Sequence, residues 1–204
     1  MIWIGNIPVS PGEGGVYGER MLEGYRVWDP FRSKFSALHM LGKEIELSPE
    51  MRVLYLGAAH GTTVSHVADY VEVVYAIERA PLPMRHLLRV AERRKNVIPI
   101  LADAREPETY AHLLEEVDLL YQDVADQAQV EIALRNRIFL KTGGLLVLML
   151  KVPCIDCTSG PEAILESARD GVAKGYEIFD HSWLAPYHED HAAIMGKKKV
   201  VADE

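Results

Sequence analysis

Cysteine is scarce in this sequence, with two residues among 204. Both belong to one Cys-x-x-Cys motif, Cys154 and Cys157, and no second pair completes a four-cysteine zinc site. By itself the motif allows half a zinc site or a redox pair. Pro153 directly precedes it and the flanking sequence is not thioredoxin-like, so we interpret the cysteines as two thiols without a special role.

Long hydrophobic runs are also lacking. The longest, residues 145–150, is far shorter than the roughly 20 residues that cross a bilayer. The N-terminus carries proline and glycine early and lacks a basic segment followed by a long apolar one, which is the pattern of a secretory signal. We therefore expect a cytoplasmic protein with no membrane partner.

Basic residues are fewer than acidic ones, with 22 Lys and Arg against 30 Asp and Glu, which gives a net charge of -8. Such a mean field repels phosphate, so a nucleic-acid substrate would require a local basic patch or a helper protein. One candidate patch consists of Arg85, Arg89, Arg93, Arg94 and Lys95. These charges could equally well be an ordinary solvated helix surface with no RNA-binding role. Arg32 and Lys34 lie closer to the predicted cleft and are better placed for phosphates.

What is present is the composition of a globular protein, with 49% hydrophobic and 25% charged residues. This composition excludes collagen-like, low-complexity and largely disordered chains, and the length suits one compact domain. Aromatic and glycine-rich stretches in the first thirty residues predict a small antiparallel unit. We divide the chain into this β-rich segment with a following helix, residues 1–45, and a main domain, residues 46–204.

The helix of the first segment is predicted directly after Trp28. Asp29 is a capping residue, and Pro30 suits the first helical position. The apolar residues that recur at helical spacing up to Gly42 are Phe31, Phe35, Leu38 and Leu41. This spacing predicts a helix of roughly three turns.

In the main domain, short apolar runs alternate with longer amphipathic stretches, as in a parallel sheet with crossover helices. The predicted strands are 53–56, 73–77, 97–101, 119–122 and 145–150, and the predicted helices are 63–70, 83–94, 107–115, 128–141 and 161–173. Two final strands, 176–183 and 192–200, have no helix between them. By fold analogy, this order is typical of an α/β sandwich of Rossmann-like, S-adenosylmethionine (SAM)-dependent methyltransferases, with a mostly parallel seven-stranded sheet that ends in an antiparallel hairpin.

Signals for a nucleotide-like ligand follow three of these strands. The turn Gly57-Ala58-Ala59-His60-Gly61-Thr62-Thr63 precedes a helix, which favours a ligand that carries negative charge. Glu78 follows Gly57 by 21 residues, a spacing typical of a carboxylate that binds a cofactor ribose, although it could instead cap the helix at Pro81. Asp103-Ala104 ends the third strand, where an acidic side chain can meet an adenine amino group. Together these signals predict one nucleotide-like ligand at the carboxyl ends of the strands.

Several runs of residues resemble one known family. These are WDPFRSK (28–34), VLYLGAAHGTTVSHVAD (53–69), NVIPILADAREPETY (96–110), DVA (123–125), LKTGG (140–144), CID (154–156) and PYHEDHA (186–192). They are similar to fibrillarin in its archaeal form, over nearly the whole chain. The family usually has Asn, Ser and Gln where this sequence has Asp29, His60 and Asp126.

The resemblance implies a SAM-dependent enzyme that methylates ribose 2'-hydroxyls of rRNA and tRNA. It also implies a box C/D guide RNA, a Nop-family scaffold protein and a kink-turn-binding ribosomal-type protein as partners. The residues expected to contact SAM are Gly57, Ala58, Ala59, Thr62, Thr63, Glu78, Arg79, Asp103, Ala104, Asp123 and Asp126.

The resemblance further places a catalytic tetrad at Lys34, Asp123, Lys151 and His191. A lysine acts as a base only when its surroundings lower its pKa, while a nearby carboxylate orients it. Lys151 is therefore the candidate base, with Lys34 supplying a like charge and Asp123 the orienting carboxylate. His188 and His191 form a His-x-x-His pair, which in a regular strand would lie on opposite faces, so we expect no metal.

Two other functions stay open at this point. The glycine-containing turn and Glu78 alone would also suit a NAD-dependent oxidoreductase. The second is a non-catalytic structural subunit of the particle that the guide RNA and the partner proteins form. Such a subunit would be expected to have lost the tetrad residues, whereas all four positions are filled here.

Overall fold

The computed structural model describes residues 1–155 and 160–200. Asp156 of the CID run and Cys157 of the Cys-x-x-Cys motif lie outside the described residues, so the interpretation of that motif stays a prediction. No helix within the described ranges is long and apolar enough to cross a membrane.

The N-terminal unit is a small antiparallel sheet, as predicted. Its strands are β1 (Ile2–Ile4), β2 (Ile7–Ser10), β3 (Met21–Leu22) and β4 (Tyr25–Val27), in the order β1-β2-β4-β3. Short strands suit this glycine-rich stretch, because glycine supplies turns and weakens strand interiors.

The first helix, α1 (Lys34–Met40), begins later than the apolar spacing predicts. Ser33 is its N-cap, with its side-chain oxygen accepting a hydrogen bond from the Ser36 N–H. Asp29 instead caps a turn, since its carboxylate accepts a hydrogen bond from the Phe31 N–H at 2.9 Å. Phe31 therefore lies outside the helix and is 65% exposed, so its assignment to the apolar helix face was wrong.

The main sheet has seven strands in the order β10-β11-β9-β8-β5-β6-β7. They are β5 (Arg52–Leu56), β6 (Val73–Glu78), β7 (Val97–Leu101), β8 (Val117–Gln122), β9 (Leu140–Lys151), β10 (Tyr176–Leu184) and β11 (His188–Lys198). The strands β5 to β9 pair in parallel, whereas β11 is antiparallel to both β9 and β10. The predicted fold class is confirmed, and the carboxyl ends of five parallel strands meet at one edge.

Within the described residues, four more helices cover the two faces of this sheet: α2 (Thr62–Val67), α3 (Pro81–Arg93), α4 (Gln129–Asn136) and α5 (Pro161–Val172). Strand residues alternate between the faces. Tyr55 packs with α1, α2 and α3 residues in one buried cluster, while Leu54 and Leu56 pack with α4 and α5 residues in the other.

The helix predicted at 63–70 ends at Val67, and two other predicted helices differ more from the structure. The stretch 107–115 forms two 3₁₀ turns, Pro107–Thr109 and Ala111–Leu113, rather than an α-helix. The predicted helix 128–141 stops at Asn136, because a 3₁₀ turn follows and β9 already begins at Leu140. Short 3₁₀ turns of this kind are common as connectors and at helix ends.

A buried ionic network holds the N-terminal sheet against the main domain. Arg26 of β4 is fully buried and pairs with Glu19 and with Asp69, each at 2.6 Å. Asp69 also pairs with Arg94 at 2.6 Å. Trp28 lies in the same buried cluster as main-domain residues. The division at residue 45 stays a prediction.

Candidate active site

The turn after β5 fits closely against the ends of two neighbouring strands. Gly57 has a φ of +81°, and a Cβ at this position would overlap the Asp123 carbonyl group after β8. The N–H groups of Gly57 and Ala58 both donate to the Ile77 carbonyl in β6 at 3.0 Å. Ala59 also has a positive φ of 47°, which only a constrained turn imposes on a residue other than glycine. The turn is therefore fixed in place by backbone contacts.

Glu78 ends β6 beside this turn and is 8% exposed. Its carboxylate accepts one hydrogen bond from the Ala59 N–H at 2.8 Å and one from the Ala80 N–H at 2.7 Å. The bond from Ala80, the residue just before the helix at Pro81, corresponds to the helix-capping alternative that the sequence left open. Each carboxylate oxygen has two acceptor positions, so both oxygens can still accept a hydrogen bond from a ligand.

A cavity of about 270 Å³ opens at this edge of the sheet. The predicted cofactor residues that line it are Gly57, Ala59, Glu78, Arg79, Asp103, Ala104, Asp123 and Asp126. The apolar residues that sequence reasoning missed are Ile77, Ala102, Val124, Ala125 and Ile132. Ala102, Val124 and Ala125 lie within the runs that resemble the family but, as apolar residues, were not assigned to the cofactor, and Ile77 directly precedes Glu78.

Three predicted cofactor residues do not line this cavity. Ala58 is a buried residue of the turn, 5% exposed, and its N–H donates to the Ile77 carbonyl. Thr63 is buried within α2, where its hydroxyl donates to the Ser33 oxygen at 3.0 Å. Thr62 begins the same helix. The structure therefore gives Thr63 a link to the N-cap of α1 instead of a place on the cavity wall.

Charged groups surround the cavity rim. Arg105, which sequence reasoning missed, donates to both carboxylate oxygens of Asp103, and this interaction lowers the pKa of Asp103. The guanidinium of Arg79 lies 3.9 Å from Asp103 and 3.8 Å from Asp126. Asp126 also accepts a hydrogen bond from the Ala128 N–H at 2.9 Å. Asp103 is therefore an ionised hydrogen-bond acceptor at the rim.

Lys34 and Asp123 of the predicted tetrad are in direct contact. The Lys34 ammonium donates to the two Asp123 carboxylate oxygens at 2.9 Å and 2.8 Å. Both side chains are mostly buried, at 18% and 24% exposure. We expected Asp123 to orient Lys151, but within the described ranges its ion pair is with Lys34. Asp123 thus lies both in this pair and on the cavity wall.

Lys151 and His191 face each other across the antiparallel pair β9 and β11. The backbone of Lys151 is held by the side chain of Gln129, which accepts from the Lys151 N–H at 2.8 Å and donates to the Lys151 carbonyl at 3.1 Å. Gln129 is fully buried. Sequence reasoning missed this residue, since nothing marks a buried glutamine at the start of a helix as a partner of a strand end.

His188 and His191 lie on the same side, contrary to the prediction. Their ring centroids are 6.0 Å apart, because the pairing of β11 with β10 is irregular at this point and strand alternation does not hold. The His188 Nε2–H donates to the Pro30 carbonyl at 2.9 Å. In the part of the chain that the structure describes, no group of three or more His, Cys, Asp or Glu residues is arranged to hold a metal ion.

Burial lowers the pKa of His191 to about 4, and the Lys34 cation acts in the same direction. Burial and Lys34 also lower the pKa of His188. Both imidazoles are therefore neutral at pH 7.

The predicted basic patch on α3 is smaller than expected. Arg85, Arg89, Arg93 and Lys95 are not part of the buried network. The side chain of Arg94 is only 10% exposed and belongs to that network through Asp69, so its assignment to the patch was wrong.

Comparisons with known proteins cover nearly the whole chain. A family model described as fibrillarin matches residues 6–200. The fibrillarin-like rRNA/tRNA 2'-O-methyltransferase of Methanoculleus marisnigri is 63% identical, over 98% of this chain and 100% of that protein. One chain in the crystal structure of a fibrillarin/Nop5p complex is 40% identical with a TM-score of 0.91, over 95% of this chain and 98% of that chain. Aeropyrum pernix fibrillarin, crystallised with natively bound SAM, is 41% identical with a TM-score of 0.81, over 93% of this chain and 87% of that chain.

Proposed function

This chain belongs to the fibrillarin family, and we propose that it transfers the methyl group of SAM to ribose 2'-hydroxyls of rRNA and tRNA. The observation that carries the assignment of the active site is the position of Asp123. Its side chain is paired with Lys34, and the residue lines the strand-end cavity. The cofactor pocket and the catalytic cluster are therefore adjacent, as direct transfer between two bound molecules requires.

The residues of the cavity fit SAM. Gly57 lets the turn approach the Asp123 carbonyl group at the cavity wall, and Glu78 presents a buried carboxylate at the end of β6, where a ribose diol binds in this type of fold. Asp103, held ionised by Arg105, suits an adenine amino group, with Ala104 beside it. When bound, SAM supplies a methyl group activated by a sulfonium. Asp126 contributes through Arg79, which it holds at the rim.

In the proposed reaction, the ribose oxygen forms a bond to the methyl carbon while the bond between sulfur and that carbon breaks. The hydroxyl proton leaves at about the same time, and we assign Lys151 as its acceptor. Lys34 and Asp123 keep each other in place beside it. Neutral His191 lies directly opposite Lys151 on β11, so it does not oppose the positive charge that Lys151 gains when it accepts the proton.

The proposal includes partners that supply RNA affinity, because the net charge of -8 disfavours binding by this chain alone. One relative of this chain forms a complex with Nop5p. We propose a Nop-family scaffold protein, a kink-turn-binding ribosomal-type protein and a box C/D guide RNA as the partners of this chain, in the cytoplasm of an archaeal cell.

The decisive experiment measures methyl transfer from tritiated SAM to a short RNA with and without these partners. We expect the isolated chain to bind SAM in calorimetry but to methylate RNA poorly, and the assembled particle to methylate the guided position. Site-specific methylation by the isolated chain without a guide would contradict the proposed partners. Binding of NAD instead of SAM would favour the oxidoreductase, and assembly of an inactive particle would favour a structural subunit.

A further inference from the structure

The turn before α1 presents an aromatic side chain that the catalytic cluster does not use. We propose that Phe31, supported by Tyr187, stacks against a nucleobase that flanks the target ribose in the RNA. This inference rests on the proposed function, because it names a contact between the same site and its RNA substrate.

Phe31 is held firmly although 65% of it is exposed. Its N–H is bound to the Asp29 carboxylate, which fixes the backbone of the turn. Its ring meets the Tyr187 ring edge to face, with centroids 5.1 Å apart and an interplanar angle of 66°. An ordered aromatic face directed to solvent loses little conformational freedom when a flat ligand binds to it.

The position of this aromatic pair links it to the catalytic cluster. Phe31 precedes Lys34 by three residues, and Tyr187 directly precedes His188, whose ring donates to the Pro30 carbonyl. The same short turn thus carries Phe31 and leads to the N-terminal residue of α1, which pairs with Asp123. A nucleotide next to the target ribose lies within reach of both.

The surroundings of Phe31 suit a nucleotide in shape and charge. A cavity of about 380 Å³ borders the turn and is lined in part by Phe31, Arg32 and Tyr17. Arg32 is exposed, and its guanidinium lies over the Tyr17 ring at 4.6 Å from the centroid. A cation beside an aromatic face suits one nucleotide, because the cation can bind the phosphate and the ring can stack on the base. An apolar protein surface would offer the guanidinium no hydrogen-bond acceptor.

Stacking also suits the specificity that the proposed reaction requires. Each base has a π-face, so a stacking contact tolerates any sequence. In a guided reaction the sequence is chosen by the guide RNA. The enzyme then needs contacts at the flanking nucleotide that do not depend on its identity.

The test uses the fully assembled particle and RNA substrates that carry 5-iodouridine at either position flanking the target. Irradiation is expected to crosslink one of them to Phe31, as identified by mass spectrometry of the peptide. Phe31→Ala is expected to raise the KM for RNA about 5- to 150-fold, the range for loss of one base–aromatic stack. SAM affinity and the midpoint of thermal unfolding are expected to stay unchanged.

Matched variants separate stacking from bulk. Phe31→Trp keeps a stacking surface and is expected to retain a low KM, whereas Phe31→Leu keeps an apolar side chain and is expected to behave like Phe31→Ala. Phe179, 53% exposed on β10, provides the control, and Phe179→Ala is expected to leave the KM unchanged.

An unchanged KM in Phe31→Ala, or crosslinks only elsewhere, would overturn the inference while the wild-type particle stays active. Loss of particle assembly in Phe31→Ala, with a normal KM for RNA in any particle that forms, would assign the surface to a protein partner and overturn the inference as well. Failure of the wild-type particle to methylate any RNA would count against the proposed function itself.

Discussion

The Lys34 ammonium lies 2.9 Å and 2.8 Å from the two carboxylate oxygens of Asp123, although 89 residues separate them in the chain. Lys34 begins α1, before the first strand of the main sheet, and Asp123 directly follows β8 in the middle of that sheet. The N-terminal segment therefore supplies part of the catalytic cluster. Asp123 also lines the cofactor cavity, so a substitution at Lys34 is expected to affect both the catalytic cluster and the cavity.

The first prediction is that Lys34 and Asp123 act as one unit. Lys34→Ala and Asp123→Ala are each expected to slow single-turnover methyl transfer, and the double variant is expected to be little slower than the slower single variant. The coupling energy for residues in such contact is about 0.5–3 kcal/mol. Lys43 and Asp180 form an ion pair of similar length, at 2.9 Å, away from the cavity. The rate of Lys43→Ala should equal that of the wild type, and additive effects at Lys34 and Asp123 would contradict the prediction.

The second prediction concerns Lys151 as the proton acceptor. Lys151→Ala is expected to lower the single-turnover rate by about 10²–10⁴ while SAM still binds, because a positioned base acts on the ribose hydroxyl. Lys151→Arg should not restore the rate, since a guanidinium stays protonated. A reconstituted particle with Lys151→Arg that keeps the wild-type rate would move the proton acceptor elsewhere. Neutral His191, directly opposite on β11, would then be the next group to test.

The third prediction is that Glu78→Ala weakens SAM binding by about 1–3 kcal/mol, the range for hydrogen bonds to a charged group. Calorimetry measures the affinity, and thermal unfolding measures the separate cost of losing the bonds to Ala59 and Ala80. Glu72, just before the opposite end of β6, provides the control. Glu72→Ala should bind SAM normally. Unchanged affinity in a folded Glu78→Ala protein would remove Glu78 from the site.

The fourth prediction is that Gly57→Ala damages the turn itself. A methyl group there would overlap the Asp123 carbonyl group at a φ of +81°, so the turn must shift away from β8. We expect a loss of at least about 1–3 kcal/mol in the free energy of unfolding, together with loss of SAM binding. Gly143 provides the control, because it has a φ of +73° and no atom lies within 4 Å of the position that an added methyl group would occupy. Gly143→Ala therefore measures the cost of placing alanine at a positive φ without a steric clash. Equal effects of the two substitutions would show that the close approach to Asp123 is unimportant.

The sheet was predictable because its central strands are buried on both faces and therefore appear as continuous apolar runs, such as residues 53–56 of β5. The same pattern predicts where the strands end, and hence that Glu78 and Asp103 lie at one edge. Local hydrogen bonds changed the helix at α1. Ser33 caps it and Asp29 caps the preceding turn, so Phe31 is exposed although its spacing matches the helix.

Long-range pairings were not predictable in the same way. The choice of Lys34 rather than Lys151 as the partner of Asp123 depends on how α1 packs against the sheet edge, which no local pattern records. The irregular pairing of β11 with β10, which brings His188 and His191 together, also depends on the hairpin as a whole. Gln129, which is 22 residues from Lys151 in the chain, reaches the site through a contact of this kind.

The fifth prediction follows from the burial of His66 beneath the N-terminal sheet. Its two ring nitrogens are hydrogen-bonded to the Ser10 and Tyr17 hydroxyls at 2.7 Å and 2.6 Å. Burial, with the Arg26 cation acting in the same direction, lowers the pKa of His66 to about 2. The unfolded chain takes up a proton at this position near the ordinary pKa of 6.5, whereas the folded chain does not until about 2. The stabilisation from neutral His66 is therefore complete above pH 6.5 and is lost as the pH falls below it.

We expect the free energy of unfolding to decrease between about pH 6.5 and 5, with His66 contributing up to about 1.4 kcal/mol per pH unit. His39, His188 and His191 also have lowered pKa values and act in the same direction. His66→Gln removes the titrating group and should flatten the slope by up to about one proton. Urea unfolding at several pH values measures these slopes. Identical slopes for wild type and His66→Gln would show that His66 takes up its proton in the folded protein as readily as in the unfolded chain.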